Sequence, residues 1–323
     1  MIRIGIVGYG NLGRGVRSAL EQNEDMELVG IFTRRDPKDI EEDDVYSVTQ
    51  APDHVGRIDV MLLCGGSATD LPVQGPEFAG MFNTVDSYDN HNRIPEYYEC
   101  MNEVALENGT LSAVSIGWDP GLFSLNRLLA GAVLPRGQDY TFWGPGVSQG
   151  HSDAIRRIEG VADAVQYTIP IEEVVDKVRR GEEPEISSTS GHLRECYVVP
   201  QDDADVVRIE EEIKSMPNYF DGYETRVHFV TAEELSNEHS GMPHGGFVIR
   251  SGRTGCSGEN KHIYQFGLNL DSNPEFTASV LVAYARAVHR LSGEGATGAR
   301  TVFDIPLSYL SPRNGAELRA KLL

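Results

Sequence analysis

The feature that most constrains the fold is a glycine pattern directly after a short apolar run near the N-terminus. Residues Ile2–Val7 have the composition of a buried β-strand, and Gly8, Gly10 and Gly13 follow with the spacing Gly-x-Gly-x-x-Gly. Apolar residues then recur at helical spacing, and a second apolar run occupies residues 27–33. This order of strand, glycine loop, helix and strand is typical of a dinucleotide-binding βαβ unit.

The three glycines have different physical roles in such a unit. Gly8 permits the tight turn, Gly10 lets a pyrophosphate approach the backbone, and Gly13 allows the helix to pack closely on the strand. Asn11 and Leu12 complete the loop at the start of the helix. The phosphates then face the positive end of the helix, where the first amide groups lack intrahelical partners.

The end of the second strand predicts which dinucleotide binds. Enzymes that use NAD usually carry an acidic residue there, which bonds the ribose 2′-hydroxyl. Thr33, Arg34 and Arg35 occupy that place in this chain. Two guanidinium groups and a hydroxyl suit a 2′-phosphate, since arginine binds phosphate bidentately and keeps its charge. We therefore predict NADP, while Asp36 leaves NAD open if the local turn differs.

Further strands are predicted along the first 120 residues. They are Ile58–Cys64, a strand ending near Asp86, and Thr110–Gly117, with a helix at Ile94–Asn108 between the last two. Ligands bind at the carboxyl ends of parallel strands. We accordingly expect the cofactor to contact the following residues, besides those of the glycine loop and the second strand: Gly66, Ser67, Ala68, Thr69, Asp70, Ser87, Tyr88, Gly117, Trp118, Pro120 and Gly121.

The second half of the chain has a different pattern. Alternating strands are predicted at Val165–Ile171, His192–Val199, Tyr223–Thr231, Phe247–Arg253 and His262–Asp271, with helices at Ile171–Arg180 and Ala204–Met216. One mixed sheet covered by helices on one face fits this pattern. A sheet with an uncovered face is often a dimer surface, which favours a homodimer.

These patterns predict an α/β fold with two domains. Residues 1–118 form a Rossmann-type dinucleotide-binding domain with a doubly wound parallel sheet, and residues 275–323 pack back on it through an amphipathic helix at Glu275–Leu291. Residues 119–274 form an α+β domain for substrate binding and dimerisation.

Composition excludes several classes of function. A formal net charge of −21 argues against binding to nucleic acid, because a phosphate backbone would be repelled. The charge fits either attraction of a cationic substrate or simple solubility. No apolar run has the length of a membrane span, and no secretory pattern or disulfide framework is visible, so we expect a cytoplasmic protein. No metal-ligand spacing and no serine or cysteine nucleophile signature occurs.

Several segments resemble the meso-diaminopimelate D-dehydrogenase family in order and spacing, over essentially the whole chain. They are Gly8-Tyr9-Gly10-Asn11-Leu12-Gly13-Arg14, Gly30-Ile31-Phe32-Thr33-Arg34-Arg35, Ser67-Ala68-Thr69-Asp70, Val85-Asp86-Ser87-Tyr88-Asp89-Asn90-His91, Gly117-Trp118-Asp119-Pro120-Gly121, Phe142-Trp143-Gly144-Pro145-Gly146, Ser148-Gln149-Gly150-His151-Ser152-Asp153-Ala154, Gly241-Met242-Pro243-His244-Gly245-Gly246 and Asn273-Pro274. The later segments lie outside the generic dinucleotide motif, so the resemblance is specific.

The resemblance implies a homodimeric, NADP-dependent enzyme of lysine biosynthesis. Such an enzyme oxidises the D-centre of meso-2,6-diaminopimelate to an imine, and water then releases ammonium and L-2-amino-6-oxopimelate. By the same resemblance, Asp89 and Asp119 hold the reacting ammonium group. The residues that surround the rest of the substrate are Trp143, Gln149, Gly150, Thr168, Arg194, His244 and Asn273.

The chemistry of the substrate supports these roles independently. Diaminopimelate carries two ammonium groups and two carboxylates, so a pocket must offer anions and donors. Asp89 and Asp119 follow two predicted strands, and either carboxylate suits the proton that the ammonium loses. Arg194 offers a planar fork to the distal carboxylate. Structural roles remain open: Asp89 as a turn cap, Asp119 as turn chemistry, Trp143 in a core, Arg194 in a surface ion pair, His244 in a loop.

Two other functions fit the dinucleotide motif. One is another NADP reductase of the same architecture, either like dihydrodipicolinate reductase or of the opine type. The other is a dinucleotide sensor without catalysis. The combination of Asp89, Asp119 and Arg194 argues against both, because neither function needs two carboxylates and a guanidinium in this pattern.

Overall fold

The computed structural model describes residues 1–187 and 189–323, and strands alternate with helices through its N-terminal part. The strands are β1 (Ile2–Val7), β2 (Met26–Thr33), β3 (Val45–Ser47), β4 (Val60–Leu63), β5 (Thr84–Asp86), β6 (Leu111–Ala113), β7 (Gly137–Trp143), β8 (Gly146–Val147), β9 (Val161–Pro170), β10 (His192–Pro200), β11 (Glu224–Phe229), β12 (His244–Thr254), β13 (Asn260–Leu270) and β14 (Gly298–Arg300). The α-helices are α1 (Asn11–Glu21), α2 (Leu71–Ala79), α3 (Ile94–Asn108), α4 (Leu122–Val133), α5 (Gln149–Arg156), α6 (Glu172–Arg179), α7 (Val206–Lys214), α8 (Ala232–Glu238), α9 (Asn273–Gly293) and α10 (Gly315–Leu322). Short 3₁₀ helices occupy Pro37–Asp39, Val48–His54, His91–Arg93 and Leu307–Leu310.

The chain divides into two compact units. Unit 1 comprises Met1–Leu125 with Pro274–Leu323, and unit 2 comprises Asn126–Asn273. The sequence placed its first boundary between residues 118 and 119, several residues before the division in the structure. The functional roles assigned to the two parts remain predictions.

Unit 1 is built on a seven-stranded sheet in the order β14-β6-β5-β4-β1-β2-β3. Every pairing in it is parallel. The order 3-2-1-4-5-6 is that of the dinucleotide-binding fold, with β14 added at one edge. Strands such as β1 are apolar at almost every position because helices cover both faces of a parallel sheet. The predicted Rossmann-type sheet is confirmed.

Helices α3 and α9 illustrate how local sequence specifies unit 1. The predicted bounds of α3 are those observed: Pro95 lies in its first turn, and Gly109 ends it in the left-handed conformation at φ 69°. In α9, Val280, Tyr284 and Ala287 are buried in the same apolar cluster as β1. The C-terminal segment therefore contributes to the core of unit 1.

Within residues 126–187 and 189–273, unit 2 contains two sheets, whereas the sequence predicted one. The first has the order β11-β10-β9-β8 and is mixed, because β10 pairs in parallel with β11 and antiparallel with β9. The second is antiparallel and has the order β13-β12-β7. Strands β7 and β8 were missed, since both contain glycine and little alternation, and their pairing partners lie far away in sequence.

Strand β6 is shorter than predicted. The sequence suggested a strand over Thr110–Gly117, but regular pairing ends at Ala113. Ser115 has a φ of 58°, which turns the chain out of the extended conformation. Its backbone N–H donates to the side-chain carboxylate of Asp86, at the end of the neighbouring strand β5, and not to a backbone carbonyl oxygen. A side chain therefore ends this strand, and strand propensity alone does not reveal it.

Candidate active site

The glycine loop of unit 1 leaves open space where a pyrophosphate is expected. Gly8 has a φ of 89°, and a Cβ on Gly13 would lie 2.2 Å from the Gly8 carbonyl oxygen. By contrast, a Cβ on Gly10 would meet nothing within 4 Å. No side chain caps the start of α1, and its first turn contains no acidic residue. The loop therefore fits an anion at the helix N-terminus.

A cavity of about 290 Å³ extends from this loop to the ends of β2 and β4. Its lining includes Gly8, Gly10, Thr33, Arg34, Arg35, Gly65 and Asp70. Arg35 donates to the carbonyl oxygen of Tyr9 at 2.5 Å, and Arg34 forms an ion pair of 2.8 Å with Asp70. The structure thus brings Gly8 and Gly10 to one cavity with Arg34 and Arg35, whereas Gly13 does not line it.

Asp36 has a local role beside this cavity. Its carboxylate accepts from the backbone N–H of Lys38 at 3.1 Å and caps the 3₁₀ helix Pro37–Asp39. The cavity lining contains Arg34 and Arg35 but not Asp36. This arrangement favours a ligand with a 2′-phosphate over one with a free 2′-hydroxyl.

The loop after β4 is fixed by its own side chains. The carboxylate of Asp70 accepts from the backbone N–H of Gly66 at 3.1 Å. The hydroxyl of Ser67 accepts from the backbone N–H of Asp89 at 3.1 Å, which joins this loop to the loop after β5. Ala68 and Thr69, also predicted to contact the cofactor, lie exposed between them.

The two predicted catalytic aspartates follow β5 and β6 in unit 1. The side chain of Asp89 is exposed, and the preceding Tyr88 is buried with its ring stacked on Tyr97, 4.1 Å between centroids. Asp119 is half-buried in the turn from Gly117 to Gly121. Ser87, also predicted at the cofactor, is half-buried beside Tyr88.

The turn that carries Asp119 is tightly closed. A Cβ on Gly121 would lie 1.8 Å from the carbonyl oxygen of Gly117. That oxygen accepts from the backbone N–H of Leu122 at 3.0 Å. Trp118 and Pro120 complete the turn, and the ring of Trp118 packs edge-on against Phe123 at 5.2 Å. Glycine is therefore required at position 121, where φ is 131°, for the backbone to hold Asp119 in this position.

Unit 2 aligns two of its predicted substrate residues, Thr168 and Arg194, on neighbouring strands. Thr168 of β9 pairs with Arg194 of β10, and on its other side with Gly146 of β8. The guanidinium of Arg194 donates to the hydroxyl of Thr168 and lies over the ring of Tyr223, 4.2 Å from its centroid. Only 9% of Arg194 is exposed, and its Nε has no hydrogen-bond partner among the described residues.

His244 and Trp143 lie at the adjoining ends of β12 and β7. Gly146 makes room for His244, because a Cβ on Gly146 would lie 2.6 Å from Cγ of the imidazole. Burial lowers the pKa of His244, which therefore stays neutral near pH 7. The backbone N–H of Trp143 donates to Nε2 of His192 at 2.9 Å, and 36% of Trp143 is exposed.

The remaining predicted substrate residues lie at helix starts in unit 2. Gln149 and Gly150 are exposed in the first turn of α5, and a Cβ on Gly150 would meet nothing within 4 Å. Asn273 begins α9, and its backbone N–H donates to the carbonyl oxygen of Met242 at 3.1 Å. The substrate roles of Gln149, Gly150 and Asn273 remain predictions.

Comparison with known proteins identifies the family. Residues 117–272 match the family described as diaminopimelic acid dehydrogenase C-terminal domain. The meso-diaminopimelate D-dehydrogenase of Acetivibrio thermocellus is 60% identical over 326 residues, which cover 100% of this chain and 98% of the relative. This chain belongs to the meso-diaminopimelate D-dehydrogenase family.

Solved structures of relatives have the same fold. Corynebacterium glutamicum diaminopimelate dehydrogenase in complex with diaminopimelate is 49% identical and has a TM-score of 0.92. The match covers 100% of this chain and 99% of that structure. An engineered D-amino acid dehydrogenase bound to NADP⁺ is 47% identical, with a TM-score of 0.87 and coverage of 100% of this chain and 99% of that structure. Both the parallel sheet of unit 1 and the sheets of unit 2 therefore belong to the fold of the diaminopimelate dehydrogenases.

Sequence reasoning missed several residues near the predicted sites of this family member. Gln166 is fully buried, and neither of its side-chain polar atoms has a hydrogen-bond partner among the described residues. It lies two positions before Thr168, so the alternation of β9 places both side chains on one face. The alternation of side chains along β9 could have identified Gln166 from the sequence. Tyr223 gave no such signal, because only the fold brings it to Arg194.

The described residues do not suggest a metal centre or a membrane span. No group of three or more His, Cys, Asp or Glu side chains within residues 1–187 and 189–323 is arranged to hold a metal ion. In the same part of the chain, no helix combines the length and the apolar character that crossing a bilayer requires.

Proposed function

We propose that this chain catalyses the NADP-dependent oxidative deamination of the D-centre of meso-2,6-diaminopimelate, which yields L-2-amino-6-oxopimelate and ammonium. The observation that carries the proposal is 60% identity over the full chain to a meso-diaminopimelate D-dehydrogenase. Relatives were solved with diaminopimelate and with NADP⁺, at 49% and 47% identity. The activity belongs to lysine biosynthesis.

The residues of unit 1 fit NADP. Gly10 leaves the loop open toward a pyrophosphate, and Arg34 and Arg35 line the same cavity with positive charge. Thr33 adds a hydroxyl at the end of β2. NADP⁺, when bound, supplies the two-electron acceptor for the hydride of the D-centre. The protein contributes the orientation of the substrate, which is the main requirement for hydride transfer.

We assign Asp89 and Asp119 to the reacting ammonium group. Their negative charge attracts it, and one of them accepts the proton that it loses before the carbon–nitrogen double bond forms. Water then adds to the imine carbon and ammonia leaves, taking up a proton to become ammonium. The exposed side chain of Asp89 and the half-buried side chain of Asp119 are both compatible with exchange of that proton with solvent.

The residues of unit 2 are assigned to the rest of the substrate. Arg194 is buried, positively charged and has an unpartnered Nε among the described residues, which suits the distal carboxylate. Trp143, Gln149, Gly150, Thr168, His244 and Asn273 complete this assignment. A shorter amino acid would leave the buried guanidinium without its anion, so discrimination against it is expected.

We further propose a homodimer in the cytoplasm. Leu128, Leu129 and Val133 of α4 expose large apolar side chains in unit 2, as does Ile263 of β13. Apolar surface of this kind favours association with a second copy. All four cysteines are unpaired, which fits a reducing compartment.

The test is the absorbance of NADPH at 340 nm in reactions with NADP⁺ and each stereoisomer of diaminopimelate. D-Alanine and glutamate are assayed in parallel. We expect rapid reduction with the meso isomer, little with the LL isomer, and equimolar release of ammonium. Binding of NADP⁺ with no reduction by any diaminopimelate would overturn the proposal, and leave a reductase with another substrate or a dinucleotide sensor.

A further inference from the structure

A buried carboxylate connects the two segments that carry the proposed catalytic aspartates. Asp86 is the last residue of β5 and has no exposed surface. Its Oδ1 accepts from the backbone N–H groups of Tyr88 at 2.9 Å and Ser115 at 3.0 Å. Its Oδ2 accepts from the hydroxyl of Tyr97 at 2.9 Å. One side chain thus binds the segment after β5, the segment after β6, and helix α3.

The two backbone donors lie close in sequence to the aspartates. Tyr88 directly precedes Asp89, and Ser115 lies four residues before Asp119. Regular pairing between β5 and β6 ends with Val85 and Ala113. Beyond that point the two segments are joined by the Asp86 carboxylate. A backbone hydrogen bond of 2.8 Å from the Ile116 N–H to the Asp86 carbonyl oxygen also joins them. The spacing between the two segments is therefore set by Asp86 after the sheet ladder has ended.

Ser115 shows that this hydrogen bond imposes a backbone conformation. Its φ of 58° lies in the left-handed region, which costs a residue other than glycine about 1–2 kcal/mol. The hydroxyl of Ser115 is buried without a partner among the described residues, so the side chain does not stabilise the turn. The backbone N–H is what the turn presents to Asp86. From this turn the chain enters the segment that contains Asp119.

The third donor is held in place by its own packing. A Cβ on Gly75 of α2 would lie 2.2 Å from the hydroxyl oxygen of Tyr97, so the absence of a side chain there makes room for the hydroxyl. The ring of Tyr88 stacks on the ring of Tyr97. Helices α2 and α3 therefore fix the direction from which Oδ2 is approached.

The buried position of the Asp86 carboxylate disfavours its charged form. Burial raises the pKa of Asp86 to about 6, although three donors favour the ionised form. An apolar residue would avoid that cost in a core position, but it would leave two backbone N–H groups unsatisfied. The cost is explained if the position of those two backbone segments matters for activity.

We infer that Asp86 is a positioning residue of the diaminopimelate reaction, which fixes the segments of Asp89 and Asp119 relative to each other through the backbone N–H groups of Tyr88 and Ser115. The inference rests on the proposed function, because it assigns Asp86 to the placement of the two aspartates that bind the reacting ammonium. Asp86 touches neither substrate nor cofactor in this role. It acts only through the two segments.

The test compares two substitutions of Asp86 with a matched control. Asp86→Ala removes all three acceptor contacts. Asp86→Asn keeps an oxygen that accepts from both backbone N–H groups and changes only the contact to Tyr97. Thr84→Val is the control, because it removes the buried 2.9 Å hydrogen bond from Thr84 to Ser112 between the same two strands, away from both segments.

We expect kcat for meso-diaminopimelate to fall about a hundredfold in Asp86→Ala, since displacements near 1 Å have effects of that size. Asp86→Asn should recover most of kcat, and Thr84→Val should retain it. The affinity for adenosine 2′,5′-bisphosphate should be unchanged in every variant, because Arg34 and Arg35 lie at the end of β2. Equal losses of kcat in Asp86→Ala and Thr84→Val, measured at a temperature where both variants are folded, would overturn the inference.

Hydrogen–deuterium exchange provides a readout that does not depend on turnover. The amides of Tyr88 and Ser115 should exchange faster in Asp86→Ala but not in Thr84→Val, and unchanged exchange in Asp86→Ala would also overturn the inference. If Asp86→Ala does not fold, Asp86→Glu replaces it, because the added methylene displaces the carboxylate from both backbone N–H groups, with an expected loss of kcat of about tenfold or more. Unchanged kcat in that variant would contradict the inference. An inactive wild-type enzyme refutes the proposed function instead, and the exchange data still decide whether Asp86 holds the two segments.

Discussion

Arg34 and Asp70 form an ion pair of 2.8 Å that joins the end of β2 to the N-terminus of α2. Asp70 is mostly buried, whereas 65% of the Arg34 side chain is exposed beside the cavity of the glycine loop. Arg34 lines this cavity, where we propose that the 2′-phosphate binds. The ion pair links the residue that directly follows β2, for which we propose a contact with the 2′-phosphate, to the N-cap residue of α2.

Replacing Arg34 with alanine should discriminate between the two dinucleotides. We expect Arg34→Ala to weaken NADP about tenfold, near the lower limit for a charge-assisted contact because the side chain is exposed. NAD lacks the 2′-phosphate and should lose little affinity. Isothermal titration with both cofactors measures the difference, and Arg57→Ala, an exposed arginine outside the cavity, is the control. Equal losses for NADP and NAD would remove Arg34 from the 2′-phosphate site.

Two glycines of the loop should respond differently to the same substitution. In Gly13→Ala the methyl group would lie 2.2 Å from the Gly8 carbonyl oxygen, so we expect a loss of stability of about 1–3 kcal/mol. In Gly10→Ala it meets nothing within 4 Å, so the melting temperature should be unchanged while NADP and NAD weaken together. Calorimetry and cofactor titration separate the two effects. Normal cofactor binding by Gly10→Ala would show that the pyrophosphate does not approach there.

The role of Asp119 is tested by removing only its charge. Asp119→Asn should lower kcat for meso-diaminopimelate about a hundredfold or more, because the reacting ammonium loses an anion that positions it. The affinity for NADP should be retained. Steady-state rates and NADP titration provide the measurement, with the exposed Asp53→Asn as the control. An unchanged kcat would return Asp119 to a structural role in its turn.

Arg194 should govern recognition of the distal carboxylate. Arg194→Lys keeps the charge but loses the planar fork that contacts Thr168, so KM for meso-diaminopimelate should rise about 10–100-fold. Any activity with D-alanine, which has no distal carboxylate, should change much less. The matched control is Arg226→Lys on the neighbouring strand β11, where Arg226 pairs with Glu224 at the surface. If both substrates respond equally, Arg194 does not read the distal carboxylate.

His151 should make the stability of the protein depend on pH. Burial lowers the pKa of His151 to about 4, below its usual value of 6.5. Between these values the unfolded chain binds a proton that the folded chain does not, so stability decreases as the pH falls. From pH 7 to pH 5 this amounts to about 1–2 kcal/mol. Urea unfolding should show a weaker dependence in His151→Asn, but not in the exposed His91→Asn. The same slope in wild type and His151→Asn would refute this role.

Local sequence patterns were sufficient to predict those elements whose start, end and apolar spacing are specified within one short segment. The glycine loop lies between β1 and α1 as predicted, and α3 has the predicted bounds because Pro95 and Gly109 act within one helix. The helix predicted at Glu275–Leu291 lies within α9, because its apolar spacing has one period that only a helix matches. The roles of the individual site residues remain predictions, although the structure places several of them together within each unit.

The sequence by itself determined the parallel sheet, the dinucleotide loop and the family, since all three are written in short segments with fixed spacing. Only the tertiary structure decided that Ser115 ends β6, that Asp86 binds two segments, and that Thr168, Arg194 and Tyr223 meet. Thr168 and Arg194 lie 26 positions apart in the sequence, and Asp86 and Ser115 lie 29 positions apart. No local period encodes the register between such strands, because it is set by the packing of whole sheets.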